Sequence, residues 1–234
     1  MSDPVRIALV AEGPTDRIVV ESAMRAMLGD RAFVLTRLPP EGSLAFDRFG
    51  GGWGGVCKWC RQSAARGDGR LANDGLVFQA YDCLVLHLDA DVAADTYDSI
   101  SSARAPHEGA LPCDRPCPPP SDTTNALRSV LLSWCGETST PTRTVLCTPS
   151  RSTEAWVLAA LFPEDKAMKN QIECFPGPEA RLGQQPKGHR IRKCKKDYEA
   201  HAEAFQAAWQ DVTHLSEAAR FQEDFLQAVP PLDA

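Results

Sequence analysis

Two apolar runs in this chain end on acids. In LVAEGPTDRIVVE, residues 9–21, the run stops at Glu12, turns through Gly13 and Pro14, and resumes as a helix with Asp16 in its first turn. In DCLVLHLDAD, residues 82–91, a second run ends on Asp89 and Asp91, and their i, i+2 spacing is expected to put both carboxylates on one face of a strand end. Taken singly, Glu12 reads as a loop acid and Asp16 as a helix-start acid favoured by the macrodipole. Taken together, the four acids point to metal binding. Carboxylates gathered at one edge repel and raise one another's pKa unless a hard cation neutralises them. Mg²⁺, with Mn²⁺ as its substitute, accepts carboxylate oxygens and keeps waters and substrate phosphates as its remaining ligands.

The elements that must position these acids are legible as an alternation. VRIALVA (5–11) is a nearly continuous apolar run, as expected of a central parallel strand covered on both faces. A helix follows, with Val20, Ala23, Met24, Met27 and Leu28 on one face and Gly29 as its stop. AFVLTRL (32–38) reads as a strand, 56–66 as a helix, 82–91 as a buried strand, 122–136 as a helix, RTVLC (143–147) as a strand and 152–162 as a helix. Residues 103–122 hold six of the chain's 18 prolines and read as a loop. Strand and helix in alternation imply an α/β layered fold with a mainly parallel sheet, where ligands collect at the carboxyl ends of the strands. Beyond Pro163 come a basic stretch and two helical segments, expected either to pack on the core or to form a small subdomain.

EGPTD fits an E-G-x-x-D element and LVLHLDAD an apolar strand followed by D-x-D. In this order and context the pair resembles the Toprim domain of topoisomerases, bacterial primases, small RNA-maturation nucleases and OLD-family nucleases. It is most similar to small stand-alone Toprim proteins encoded beside ATPases and in phage-defence loci, and to the OLD nuclease domain. The resemblance covers about residues 5–165. It implies a Toprim-like, Rossmann-like domain over 1–165 with a Pro/Cys-rich insertion at about 103–122, and 166–234 as a basic segment with C-terminal helices. It further implies an Mg²⁺-dependent DNA or RNA nuclease, in defence or repair, with Glu12 in metal contact or acid/base work and Asp16 beside it. Asp89 and Asp91 would be the metal pair, and STEAWVLAA would bring Glu154 to the same edge to complete a second metal site. Val92 and Ala93 depart from the longer D-x-D-x-G pattern, which bears on the local turn. A D-x-D also occurs in nucleotide-sugar transferases, but that family leaves E-G-x-x-D unexplained. The second reading is a non-catalytic Toprim module that binds nucleic acid or a partner ATPase.

The stretch RLGQQPKGHRIRKCKK, residues 181–196, carries seven of the 25 Lys and Arg and no acid, within a chain of net charge −6. Its cations Lys187, Arg190, Arg192, Lys193, Lys195 and Lys196 are candidate phosphate-backbone contacts. Lys196 is the candidate for stabilising charge on the reacting phosphate. Three further features have blander readings. His87 reads as a hydrogen-bonded core histidine rather than a ligand. Ser150 and Ser152 read as helix-capping groups. FGGGWGG, residues 49–55, reads as a flexible loop, since no strand leads into it and no P-loop lysine follows. Cys57 and Cys60 (C-x-x-C) with Cys113 and Cys117 (C-x-x-x-C) offer four thiolates to a structural Zn²⁺, although the central strand separates the two pairs. With no apolar run long enough for a membrane span and no secretory signal pattern at Met1, the chain is expected to be cytoplasmic and its nine cysteines reduced, buried or metal-bound.

Overall fold

Short apolar strands align in one direction here because each is followed by a helix that must return across the sheet before the next strand can pair. The computed structural model describes residues 3–39, 50–99, 111–165 and 172–231. β1 (Val5–Val10) is central and β2 (Phe33–Arg37), β3 (Cys83–His87) and β4 (Thr144–Cys147) join it in the order β2-β1-β3-β4, all parallel. Ile7 pairs with Leu35 on one side and Cys83 on the other, and Leu84 pairs with Thr144. This is the α/β, Rossmann-like, mainly parallel architecture expected from the alternation.

The two-residue period of the strands divides the core. Ile7, Leu9, Val85, Val145 and Cys147 face one layer, formed by α1 (Pro14–Leu28), α5 (Thr153–Leu161) and the C-terminal helices. Ala8, Val10, Leu84, Leu86 and Leu146 face the other, formed by α2 (Gly52–Arg66), α3 (Gly75–Ala80) and α4 (Pro120–Trp134). After Pro163 the chain forms α6 (Pro178–Gly183), α7 (Lys195–Ala207), α8 (Trp209–Val212) and α9 (Ser216–Ala228). Trp209 sits fully buried among Trp156, Phe205 and Phe221, with ring centroids 5.6, 6.0 and 6.3 Å away, so these helices share one core with β1 rather than standing apart.

Several elements differ from the sequence reading: α4, for one, begins at Pro120, inside the stretch read as a loop. α2 begins at Gly52, four residues before the apolar periodicity, because Trp53 stacks on Trp134 at 6.1 Å and fixes the glycine-rich start against the second core. The stretch expected to be a flexible loop is thus a helix start over Gly52–Gly55; Phe49 lies outside the described residues, as do 103–110 of the proline-rich stretch. α3 is too short for a periodicity signal; the Asp74 side chain caps it by accepting from Leu76 N at 3.2 Å. No helix among the described residues is long and apolar enough to cross a membrane.

Candidate metal centre

β1 and β3 are neighbours, and their following strands lie on opposite sides: β2 beyond β1, β4 beyond β3. Helices therefore leave the two strand ends toward opposite faces, and a crevice opens between them. Glu12 lies just past β1 and Asp89 just past β3, and the Asp89 N–H donates to Glu12 Oε1 at 2.7 Å. A Cβ at Gly13 would stand 3.0 Å from Asp16 Oδ2, so the glycine leaves room for that carboxylate. Asp16, buried in the first turn of α1, accepts from Thr153 Oγ1 at 3.0 Å, while Thr153 N donates to Asp89 Oδ1 at 3.0 Å. One residue at the start of α5 thereby holds two acids from two other elements.

The next residue, Glu154, is 0% exposed. Its Oε1 accepts from Tyr198 OH at 2.7 Å and lies 3.4 Å from Lys193 Nζ, whereas Oε2 has no hydrogen-bond partner. His87 is likewise 0% exposed and, contrary to the expectation of a hydrogen-bonded core histidine, neither ring nitrogen has such a partner. Its Nε2 stands 3.2 Å from Asp89 Oδ1. Glu12, His87 and Asp89 each offer one ligand atom, and these atoms lie within 4.8 Å of one another. Three converging donors, one of them the unpaired His87 ring, fit a divalent cation, since buried polar atoms left unpaired are otherwise costly.

The electrostatics agree. Burial, then the Asp89 charge, pushes the Glu12 carboxyl well above the usual carboxylate range. Burial, then Asp16, Glu154 and Asp91, does the same to Asp89. At Glu154 burial also works upward, but Lys193 and hydrogen bonds from Ser152 and Tyr198 outweigh it, and the carboxyl is lowered. Burial opposes the charge on Lys193, yet Glu154, Asp16, Glu179 and Asp89 together raise its pKa.

Asp91 stands beyond the strand rather than on it, while its charge still acts on Asp89 and Glu154. β3 ends at His87 and the chain turns into a 3-10 helix at Ala90–Ala94, so the i, i+2 rule for strands no longer applies and Asp91 is exposed while Asp89 is buried. The Asp91 N–H donates to Arg151 O at 2.9 Å, and its side chain lines a cleft of about 260 Å³ with Arg115, Ser150, Arg151 and Glu173.

The basic stretch is less free than its composition implies. Lys193 bridges Glu154 and Glu179 (3.3 Å to the latter), Arg181 pairs with Asp165 at 2.8 Å, Arg192 with Asp197 at 3.4 Å, and Lys195 with Glu199 at 3.7 Å. Arg190 donates to Gln185 O at 3.0 Å, and Lys187 is exposed. The lysine against the acids is Lys193; Lys196 lies exposed in the first turn of α7.

The four-thiolate zinc set is not assembled. Cys57 and Cys60 point from α2 into the second core, Cys113 is also buried there, and Cys117 is bonded to Cys174. Cys60 shares a hydrogen bond with Cys135, and burial raises its thiol well above the ordinary range, so the C-x-x-C pair packs as small apolar side chains. The disulfide also departs from the expected reduced state.

Thr153 and Tyr198 are site residues that the sequence reading did not assign to the site, and His87 is one it assigned to the core. For His87 a signal existed, since it ends the apolar run two residues before Asp89; for Tyr198, 44 positions from Glu154, nothing local pointed to the contact. Comparison with protein-family models, with curated proteins and with solved structures finds no match for this chain.

Proposed function

We propose that this protein is a divalent-metal-dependent phosphodiester hydrolase of Toprim type, using Mg²⁺ or Mn²⁺ to cut DNA or RNA. The observation that carries the reading is the convergence of Glu12, His87 and Asp89 ligand atoms within 4.8 Å at the crevice between two parallel strand ends. Bound there, a divalent ion would supply Lewis-acid stabilisation of charge on phosphate oxygens. Glu12 and Asp89 would hold it. Asp16, kept in place by Thr153, adds negative charge behind them. Glu154, held ionised by Lys193, has an unpaired Oε2 available to orient water or a second ion. Exposed Lys187, Arg190 and Lys196 offer cations for neighbouring phosphates.

The test is incubation of plasmid, single-stranded DNA and tRNA with Mg²⁺ or Mn²⁺, comparing wild type with Asp89→Asn and Glu12→Gln after folding is checked by circular dichroism. Metal-dependent cleavage lost in both variants, by about 100-fold or more, is the expected result. A second reading, a non-catalytic module binding nucleic acid or a partner ATPase, draws on Lys193 being engaged by two carboxylates rather than free for substrate. Binding without cleavage under every metal and substrate would decide for it.

A further inference from the structure

We propose that His87 is itself a ligand of the ion held by Glu12 and Asp89, and that its nitrogen makes the site favour a first-row transition ion such as Mn²⁺ over Mg²⁺. The inference rests on the reading above only in taking the crevice to hold a divalent ion.

Position comes first. His87 is the last residue of β3 and shares the strand face of Cys83 and Val85, so its ring is enclosed by the first core while reaching the strand end where Glu12 and Asp89 meet. A histidine kept in a core for packing normally hydrogen-bonds one ring nitrogen. Here the ring is 0% exposed and both nitrogens lack such a partner. The group facing it is the Asp89 carboxylate, with Nε2 to Oδ1 at 3.2 Å.

Spacing comes second. Donors bonded to one ion at about 2.1 Å stand about 3.0 Å apart at adjacent corners of an octahedron and about 4.2 Å apart at opposite ones. The 3.2 Å between His87 and Asp89 is close to the adjacent spacing, and all three ligand atoms lie within 4.8 Å of one another.

Ligand chemistry then chooses the ion. Mg²⁺ seeks oxygen and dehydrates reluctantly, whereas imidazole suits first-row transition ions; two carboxylates with one imidazole form a mixed set that disfavours Mg²⁺ relative to Mn²⁺.

The experiment uses the full chain, loaded with Mn²⁺ alone and then titrated with Mg²⁺ in competition, with pulsed EPR of bound Mn²⁺ to detect a directly coordinated ¹⁴N. Wild type is expected to give nitrogen coupling and a preference for Mn²⁺ of about tenfold or more. His87→Gln is expected to lose the coupling and most of the preference. If that variant does not fold, the wild-type spectrum alone decides. Mn²⁺ bound without nitrogen coupling overturns the inference and leaves the hydrolase reading standing, because Glu12 and Asp89 then hold the ion unaided. Nitrogen coupling without cleavage of any nucleic acid supports the inference while the hydrolase reading fails.

Discussion

Glu12 and Asp89 are carboxyls that the fold holds against their preference. Burial and mutual charge raise both, so between the ordinary carboxylate value and the raised one the folded chain binds more protons than the unfolded chain. Stability attributable to these two groups therefore falls as pH rises through that window. In chelator, the melting temperature is expected to decline as pH rises above the ordinary carboxylate range, and saturating Mn²⁺ should flatten the decline, because the ion supplies the charge that protons otherwise supply. A level chelated profile would count against the buried, mutually repelling arrangement. Glu154 works in the opposite sense. Its lowered carboxyl contributes stability that is complete above the ordinary value and lost as pH falls through the lowered one, so its effect belongs to the acid limb of the same profile.

Among the elements, α5 decides the site's rigidity. Its first residue, Thr153, binds Asp16 through the hydroxyl and Asp89 through the backbone, joining helix α1 to the end of β3. Thr153→Val keeps the shape and the N–H but deletes the hydroxyl. Mn²⁺ affinity, measured by titration calorimetry, is expected to fall about tenfold, as for other groups that orient metal ligands. The loss of fold stability should be only about 1 kcal/mol. Unchanged affinity would mean that Asp16 is positioned by its own helix alone. Strand ends on Glu12 and Asp89, and the helix that follows each, were readable because each is encoded by a local run of apolar residues and a turn. The turn that carries Asp91 was not readable for the same local reason: the strand period was carried four residues past His87, where β3 stops, although the Asp91 charge still acts on Asp89.

At the scale of the whole molecule, the C-terminal helices close the first core. Trp209 is fully buried against Trp156, Phe205 and Phe221, which joins residues after 195 to the helix that carries Glu154. Trp209→Ala is expected to cost about 3–5 kcal/mol in urea denaturation. Because one core spans sheet and C-terminal helices, the wild type should unfold in a single transition. Two separated transitions, with the mutation shifting only one, would mean that the C-terminal helices form an independent unit. Their docking also delivers function: Tyr198 and Lys193 reach Glu154 only through it.

What the sequence determined by itself is what local chemistry encodes: parallel strands with both faces covered, helices between them, and carboxylates at two strand ends. What only the tertiary structure decided is adjacency. The order β2-β1-β3-β4 makes the ends of β1 and β3 neighbours and turns His87 from a core residue into a candidate donor. It also selects Lys193 from seven cations and gives Cys117 to Cys174 rather than to a metal. The periodicity of a segment records which face it buries, but the partner on that face is set by long crossovers and by packing between residues tens of positions apart, and no short window of the chain contains both halves of such a contact.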